Sequence, residues 1–324
     1  MELNTNYAAH VVADSVSEHR KRITTFVLTY PRFIHSEILT HRLFSRNAMS
    51  SRAVPVNTMI QHVKQNTAKP IHWGKNQPGM QAKAEHDADV KIDLNHLCGG
   101  LEYTVDRESA WNEARDFAIA VAKGFHEAGY HKQIVNRILE PFQLMRTVVT
   151  STEYDNWYWL RNHEDAQPEI KHLAELMLEQ QNAVVPKILS SEEWHVPFYK
   201  SGVWSGLYEN DEGVEVDRYG FTLDDALAIS ASCCAQASFR KADESIEKAR
   251  DIYQRLVGME PPHYSPFEHQ AKPMKEPTHS DNDWEAGCTH IDINGNMWSG
   301  NFKGWIQNRQ LLHIKLNHKY MTVK

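Results

Sequence analysis

Alternation is the first sustained pattern in the chain. Residues 22–30, RITTFVLTY, set β-branched and aromatic side chains among threonines, which predicts a strand ended by Pro31. The apolar spacing then lengthens. Phe33, Ile34, Ile38 and Leu39 predict a helix that carries the stretch THRLFSRNAMSSRAVP into a loop closed at Pro55. Over residues 107–129, Trp111, Ala114, Phe117, Ala118, Val121 and Phe125 recur at helical spacing and are expected to face the core, with Gly129 as terminator. A second helix, KQIVNRILEPF, would turn Ile134, Val135, Ile138 and Leu139 inward, with Arg137 between them. A third begins at Pro168 and would bury Ile170, Leu173, Ala174 and Met177. Thr222 and Asp225 read as a helix start before DALAISASCCAQASF, and a further amphipathic helix is expected from Asp243 to Gly258.

Between these elements lie two irregular stretches. Residues 65–100 are polar and broken by glycine and proline, and read as a long ordered loop. Residues 200–220, rich in glycine, tyrosine and acids, read as a hairpin or insertion. With helices longer and more numerous than strands, the expected class is α/β or α+β. The expected organisation is a single domain over 1–324, with a loop near 65–105 and an insertion near 195–222.

Composition narrows the function. Hydrophobic residues make up 41% of 324, enough for a substantial core, and the net charge is −7. That balance argues against a broad basic face for nucleic acid, so the arginines are matched to a small anion. The absence of a leader or a long apolar run points to a cytoplasmic protein away from the membrane. Four cysteines are too few for a disulfide scaffold.

Candidate chemistry starts with Glu37–Pro55, where Arg42, Arg46, Arg52 and His41 stand among Ser45, Asn47, Ser50 and Ser51. Guanidinium forks and small hydroxyls suit a phosphate or carboxylate, although a basic helix end in water has the same composition. Arg161 follows Trp157 and Trp159 and could face a flat heterocycle. HYSPFEHQAKP holds Glu268 and His269 between prolines, as a ligand site or as a structural turn. Cys233 and Cys234 fall on an apolar helical face and read as core. His96 and Cys98 with Cys288 and His290 lack zinc-finger spacing, and no metal is expected.

Taken together, these pieces carry a resemblance. His41, Arg42, Ser45, Asn47, Ser50 and Arg52 match the arginine signature of the flavin-dependent thymidylate synthases. NRILEP and NWYWLRNHEDAQPEI are similar to the family's second conserved region, through Arg137, Pro141, Asn156, Arg161, Ala166, Gln167 and Glu169. SPFEH, Ser265 to His269, resembles a block that precedes the arginine signature in the family but follows it here. The resemblance is therefore to a circularly permuted, phage-type relative, and it implies that family's fold in permuted order: a mixed sheet flanked by long helices.

The resemblance further implies a homotetramer that moves a one-carbon unit from methylenetetrahydrofolate to C5 of dUMP. FAD would supply hydride and NADPH would reduce the flavin. His41, Arg42, Ser45, Asn47, Asn156 and His269 would hold FAD. Ser50, Ser51, Arg52, Arg137, Arg161 and Glu37 would hold the nucleotide, with Arg161 and Ser50 in the catalytic role and no cysteine nucleophile. Thr40, Ala48, Glu37 and Thr152 depart from the family pattern. The rival substrate is dCMP, to which a carboxylate could be matched, with a methyl or hydroxymethyl product. A rival of another class is a nucleotide- or RNA-binding protein without catalysis.

Overall fold

The computed structural model describes residues 6–79, 81–95, 99–237, 245–278 and 284–315. Its principal sheet runs in the order β3–β6–β2–β1–β7. These strands are β1 (Ala8–Ser17), β2 (Arg22–Pro31), β3 (Ser45–Ala48), β6 (Leu144–Ser151) and β7 (Lys187–Leu189), the hairpin β4 (Val90–Asp93) and β5 (Glu102–Val105) standing apart. Neighbours are antiparallel except β1 and β7, so the sheet is mixed, as expected.

The alternation in β2 sorts two cores. Phe26, Leu28 and Tyr30 face a cluster built from the helices Val56–Gln65, Arg107–Glu127, Lys132–Ile138, Asp155–Arg161 and Pro168–Ala183. Val27, one residue out of phase, faces Val148 and Cys234 on the helix Leu223–Ala235. Ile23 packs on the same side with Ala271, Phe302 and Trp305. Both faces of this central strand are covered, which explains its nearly unbroken run of buried residues.

The C-terminal part supplies the second layer. After β8 (Trp194–His195), β9 (Val203–Trp204), β10 (Tyr208–Glu209) and β11 (Glu215–Val216) come the helices Leu223–Ala235 and Ile246–Gly258. Then follow β12 (Ala271–Pro273), β13 (His290–Ile291), β14 (Met297–Ser299), β15 (Phe302–Lys303) and β16 (Trp305–Gln307). A four-stranded sheet, β16–β12–β8–β9, stacks beside the first.

Buried polar groups join the two layers. Asn47 Nδ2 donates to His269 Nε2 at 3.1 Å, so His269 carries its proton on Nδ1 and donates it to Thr150 Oγ1 at 2.8 Å. Thr150 donates to Thr25 Oγ1 at 2.7 Å, and Thr25 to His195 Nε2 at 2.9 Å. His195 Nδ1 then donates to Ser15 Oγ at 2.9 Å. Thr150 and Thr25 each accept one proton and give one. Burial pushes both imidazoles down to about 3, so both stay neutral in the fold.

Several expectations need correction. The signature is not helical: the helix is only His35–Ile38, and Ser45–Ala48 pairs with β6 as an edge strand. Arg46 Nη1 donates to the carbonyls of Leu39 (3.0 Å) and His41 (3.2 Å), closing the turn between them. Leu39 is accordingly exposed. In Arg107–Glu127 the buried residues are Ile119 and Ala122, whereas Phe117 is 66% exposed. Core and exposed stripes both have helical period there, so periodicity alone could not choose between them. Ile134 is exposed for the same reason, while Val135 and Leu139 are buried. The 65–105 stretch is not wholly loop, since β4 and β5 occupy its end. The strand of residues 22–30 and the inward positions of Ile170, Leu173, Ala174 and Met177 hold. Asp243, His96 and Cys98 lie outside the described residues.

The neutral histidines give a pH dependence with a definite sign. An unfolded histidine takes up a proton near 6.5, whereas the folded ones do so only near 3. Between those values unfolding binds protons, so stability falls as pH falls, by up to about 1.4 kcal/mol per pH unit for each histidine. Melting temperatures measured from pH 7 to 4 should drop steadily. Thr150→Val, which leaves His269 Nδ1–H without its acceptor, should lower stability by about 1–3 kcal/mol in denaturant titrations at neutral pH.

Candidate active site

A cleft of about 1100 Å³ opens beside the first core. One wall is the end of the helix Asp155–Arg161 and the turn beyond it, through Trp159, Arg161, Gln167 and Glu169. Glu37 comes from the short helix His35–Ile38, and the opposite wall includes His72, Gly74 and Gln81 from the long loop. Gln81 Nε2 donates to Glu164 O at 3.1 Å and Ala166 O at 3.0 Å, tying that loop to the turn that carries the motif residues. The Glu169 carboxylate is buried and accepts from Ile71 N at 3.0 Å, a second tie between the same two segments.

Arg161 is the best-fixed cation in the cleft. Its Nε donates to His41 Nε2 at 3.2 Å and its Nη2 to Thr40 Oγ1 at 3.1 Å. Nη1 lies 3.7 Å from Glu37 Oε2. His41 is clamped in turn, edge-on to Trp157 at 4.7 Å and stacked with Phe44 at 5.6 Å between ring centroids. Because His41 Nε2 accepts, the ring is neutral, and burial with the nearby Arg161 and Arg46 holds it at about 4. Burial raises the Glu37 carboxyl, Arg161 opposes that rise, and Glu169 adds to it.

The remaining expected residues are either exposed or enclosed. Arg42, Arg52, Arg137 and Asn156 are exposed and, among the described residues, make no hydrogen bond or ion pair within the chain through their side chains. Arg52 and Arg137 are brought near one another, since Asn136 Nδ2 donates to Ser51 O at 2.8 Å and Val54 O at 2.9 Å. Ser50 is exposed in the same turn, and Ser51 is buried beside it. Neither Arg52 nor Arg137 lines the cleft around Arg161.

Ser45 and His269 are enclosed. Ser45 Oγ donates to Asn301 Oδ1 at 3.1 Å and accepts from Gln307 Nε2 at 3.2 Å. His269 has both ring nitrogens engaged, as described, and Asn47 spends its amide on His269 and Ser265 O. Ser45 and His269, expected to face a flavin, fasten β3 to the C-terminal layer through these bonds. SPFEH forms the turn Ser265–Glu268 and packs on β3, so the two motif blocks do meet. Thr152 accepts from Lys303 N at 3.0 Å. Cys233 and Cys234 are buried, and burial raises the Cys234 thiol well above its ordinary value. Burial and Glu285 push Cys288 up to about 11. Among the described residues no group of three or more histidines, cysteines and carboxylates is placed to hold a metal.

Sequence reasoning missed the cleft wall made by His72 and Gln81, and the part played by Thr40. A lone glutamine in a polar loop gives no signal of which carbonyls it meets.

A cleft with a fixed guanidinium, carboxylates and aromatic walls has the chemistry of a small-ligand site. The family profile described as Thymidylate synthase complementing protein matches residues 5–187, over half of the chain, and the chain belongs to this family of flavin-dependent thymidylate synthases. No curated protein matches the chain. No helix among the described residues is long and apolar enough to cross a membrane.

Membership makes the enzyme FAD-dependent, and the donors at the surface can be tested against that cofactor. Arg42 and Asn156 are open, and His41 keeps its Nδ1–H free beside them. A cation, an amide and a ring N–H suit the diphosphate and ring edge of a flavin.

Two arginines of one motif should separate cleanly. Arg46→Ala removes the donor to the Leu39 and His41 carbonyls and should destabilise the fold by about 1–3 kcal/mol. Arg42→Ala should change stability by no more than about 0.5 kcal/mol while weakening FAD retention. Denaturant melts and equilibrium dialysis on the two variants check this pair.

Proposed function

We propose that the protein transfers a one-carbon unit from methylenetetrahydrofolate to C5 of a pyrimidine deoxynucleoside monophosphate. The family's ordinary acceptor is dUMP. The observation that carries the reading is the Arg161 guanidinium, fixed by Thr40 and His41 on the wall of a cleft large enough for a base and a second flat ligand.

The bond changes balance without a protein nucleophile. C5 of the base bonds to the methylene carbon as that carbon parts from the folate nitrogen, and the C5 hydrogen leaves as a proton. When bound, reduced FAD supplies the hydride that completes a methyl group, and NADPH restores the flavin.

Arg161 donates toward O2 of the base, and toward the ring nitrogen where that nitrogen is an acceptor, which draws charge to that edge and is matched to a base activated at C5. Arg52 and Arg137 hold the phosphate, with the Ser50 hydroxyl in the same turn and Ser51 beside it, its carbonyl fixed by Asn136 Nδ2. Arg42, His41 and Asn156 hold the flavin, with Asn47 setting the edge of β3. The buried Cys233 and Cys234 and the raised thiol of Cys288 support a mechanism without thiolate attack.

Because Arg52 and Arg137 stand outside the cleft, we place the complete site between copies of the chain in a homotetramer. The exposed Phe117, Phe125, Tyr130 and Ile134 near this region support such an assembly. The meeting of SPFEH with β3 supports a circularly permuted chain order.

Tritium release from C5-labelled dUMP and dCMP, with FAD and methylenetetrahydrofolate, tests the reaction. Release from neither would remove it. Arg52→Ala and Arg137→Ala should each weaken nucleotide binding by about 1.5–3 kcal/mol and leave the melting temperature nearly unchanged. Replacing Cys233, Cys234 or Cys288 with alanine should leave turnover within about tenfold, since loss of a true nucleophile costs several orders of magnitude.

A further inference from the structure

We propose that Glu37 and Arg161 read the edge of the pyrimidine together and select cytosine over uracil. This rests on the reaction assigned above and names its substrate.

The argument begins with which atoms of Arg161 remain available. Nε is taken by His41 and Nη2 by Thr40, so the guanidinium cannot rotate about its own plane without losing two bonds. Nη1 faces the cleft with Glu37 Oε2 at 3.7 Å. That separation is an ion pair too long for a hydrogen bond, so neither group satisfies the other. A ligand edge can bond to both. Of the other two carboxylates lining the cleft, Glu169 is buried and held by Ile71 N, and Asp165 lies 3.7 Å from His163 Nδ1, which leaves Glu37 as the partly exposed carboxylate beside Arg161.

The wall therefore shows an acceptor beside a donor. Cytosine shows the complement, an amino donor at position 4 beside an acceptor at N3, with a second acceptor at O2. Uracil shows an acceptor at O4 and a donor at N3. Against uracil the carboxylate would meet lone pairs and the guanidinium would meet an N–H. Both contacts have the wrong polarity. Carboxylate acceptance from the amino group of cytosine is a recurrent pairing, and so is guanidinium donation to a base acceptor. A site whose polar groups are covered by the bound base rejects a mismatched analogue because those groups are then left unpaired.

Thr40 makes this arrangement possible. Its hydroxyl donates to Glu37 O at 2.6 Å and accepts from Arg161, so one side chain sets both the helix end that carries Glu37 and the plane of the guanidinium.

Calorimetric titration of the FAD-loaded enzyme with dCMP and dUMP, alongside the tritium assay, tests the assignment. The wild type should bind dCMP at least about tenfold more tightly than dUMP, and release tritium from dCMP. Glu37→Gln, whose amide can also donate, should erase that preference by weakening dCMP and strengthening dUMP. Glu37→Asp, which keeps the charge, should retain the order of preference and serves if the glutamine variant does not fold. A wild-type preference for dUMP, or none, would overturn the assignment while leaving the reaction intact. A preference for dCMP that Glu37→Gln does not alter would overturn the role of Glu37. Binding and release with neither nucleotide would remove the reaction itself and the assignment with it.

Discussion

The pair Thr25–Thr150 is the contact on which the rest of the molecule depends. Two hydroxyls on adjacent strands meet at 2.7 Å, and each must also serve a histidine that comes from the other layer. A threonine has one proton to give, so the direction of every bond from Asn47 to Ser15 follows once one is set. Polar groups sealed from water hold one another to a single arrangement, because any slip leaves a donor or acceptor unpaired. The layer that the family profile does not cover, residues 188–315 as far as it is described, is thereby keyed to the sheet that the profile does cover.

The same chain of bonds also explains where the motif sits. Asn47 is on β3, an edge strand four residues long whose pairing is to β6 alone. Such a strand has little to hold it. His269 and Ser265 grip its Asn47, and Asn301 and Gln307 grip its Ser45. With β3 pinned from behind, the turn that precedes it can present His41, Arg42 and Thr40 forward. Residues whose type suggested ligand contact thus split: Ser45 and Asn47, on one face of β3, turn to the protein, while Thr40, His41 and Arg42 belong to the turn before the strand.

That split limits what a sequence can disclose. The strand of residues 22–30, the helix from Pro168 and the burial of Cys233 and Cys234 were legible, since each rests on a local pattern with one reading. The face of the helix Arg107–Glu127 was not. Its apolar residues form two stripes of the same period: Ile119 and Ala122 are buried, with Trp111 and Ala118 packed against the core as expected, while Phe117 and Phe125 face outward. In the site, Arg161 and Glu37 were legible as chemistry and their pairing was not, since 124 positions, from 37 to 161, separate them in the chain. Arg46 looked like its neighbours Arg42 and Arg52, yet it closes a turn. Residue type offers a guanidinium, and the fold decides whether backbone carbonyls or solvent receive it.

The departures from the family pattern at positions 37 and 40 belong to one arrangement. The family signature has an arginine where this chain has Thr40. With the present backbone, that arginine would bring a second cation beside Arg161 and remove the hydroxyl that accepts from its Nη2. Arg161 could not then keep both the bond to position 40 and the plane that His41 gives it. Threonine replaces a repelling cation with an acceptor, and Arg161 takes it. Freed from that repulsion, the guanidinium lies flat along the cleft wall with Nη1 toward Glu37, where a carboxylate is better matched than an amide to a cation at 3.7 Å. The loss of one positive charge and the gain of one negative charge in the same short helix and turn thus lower the charge of the wall by two. The edge they create sets a carboxylate acceptor beside a guanidinium donor, both open to a ligand.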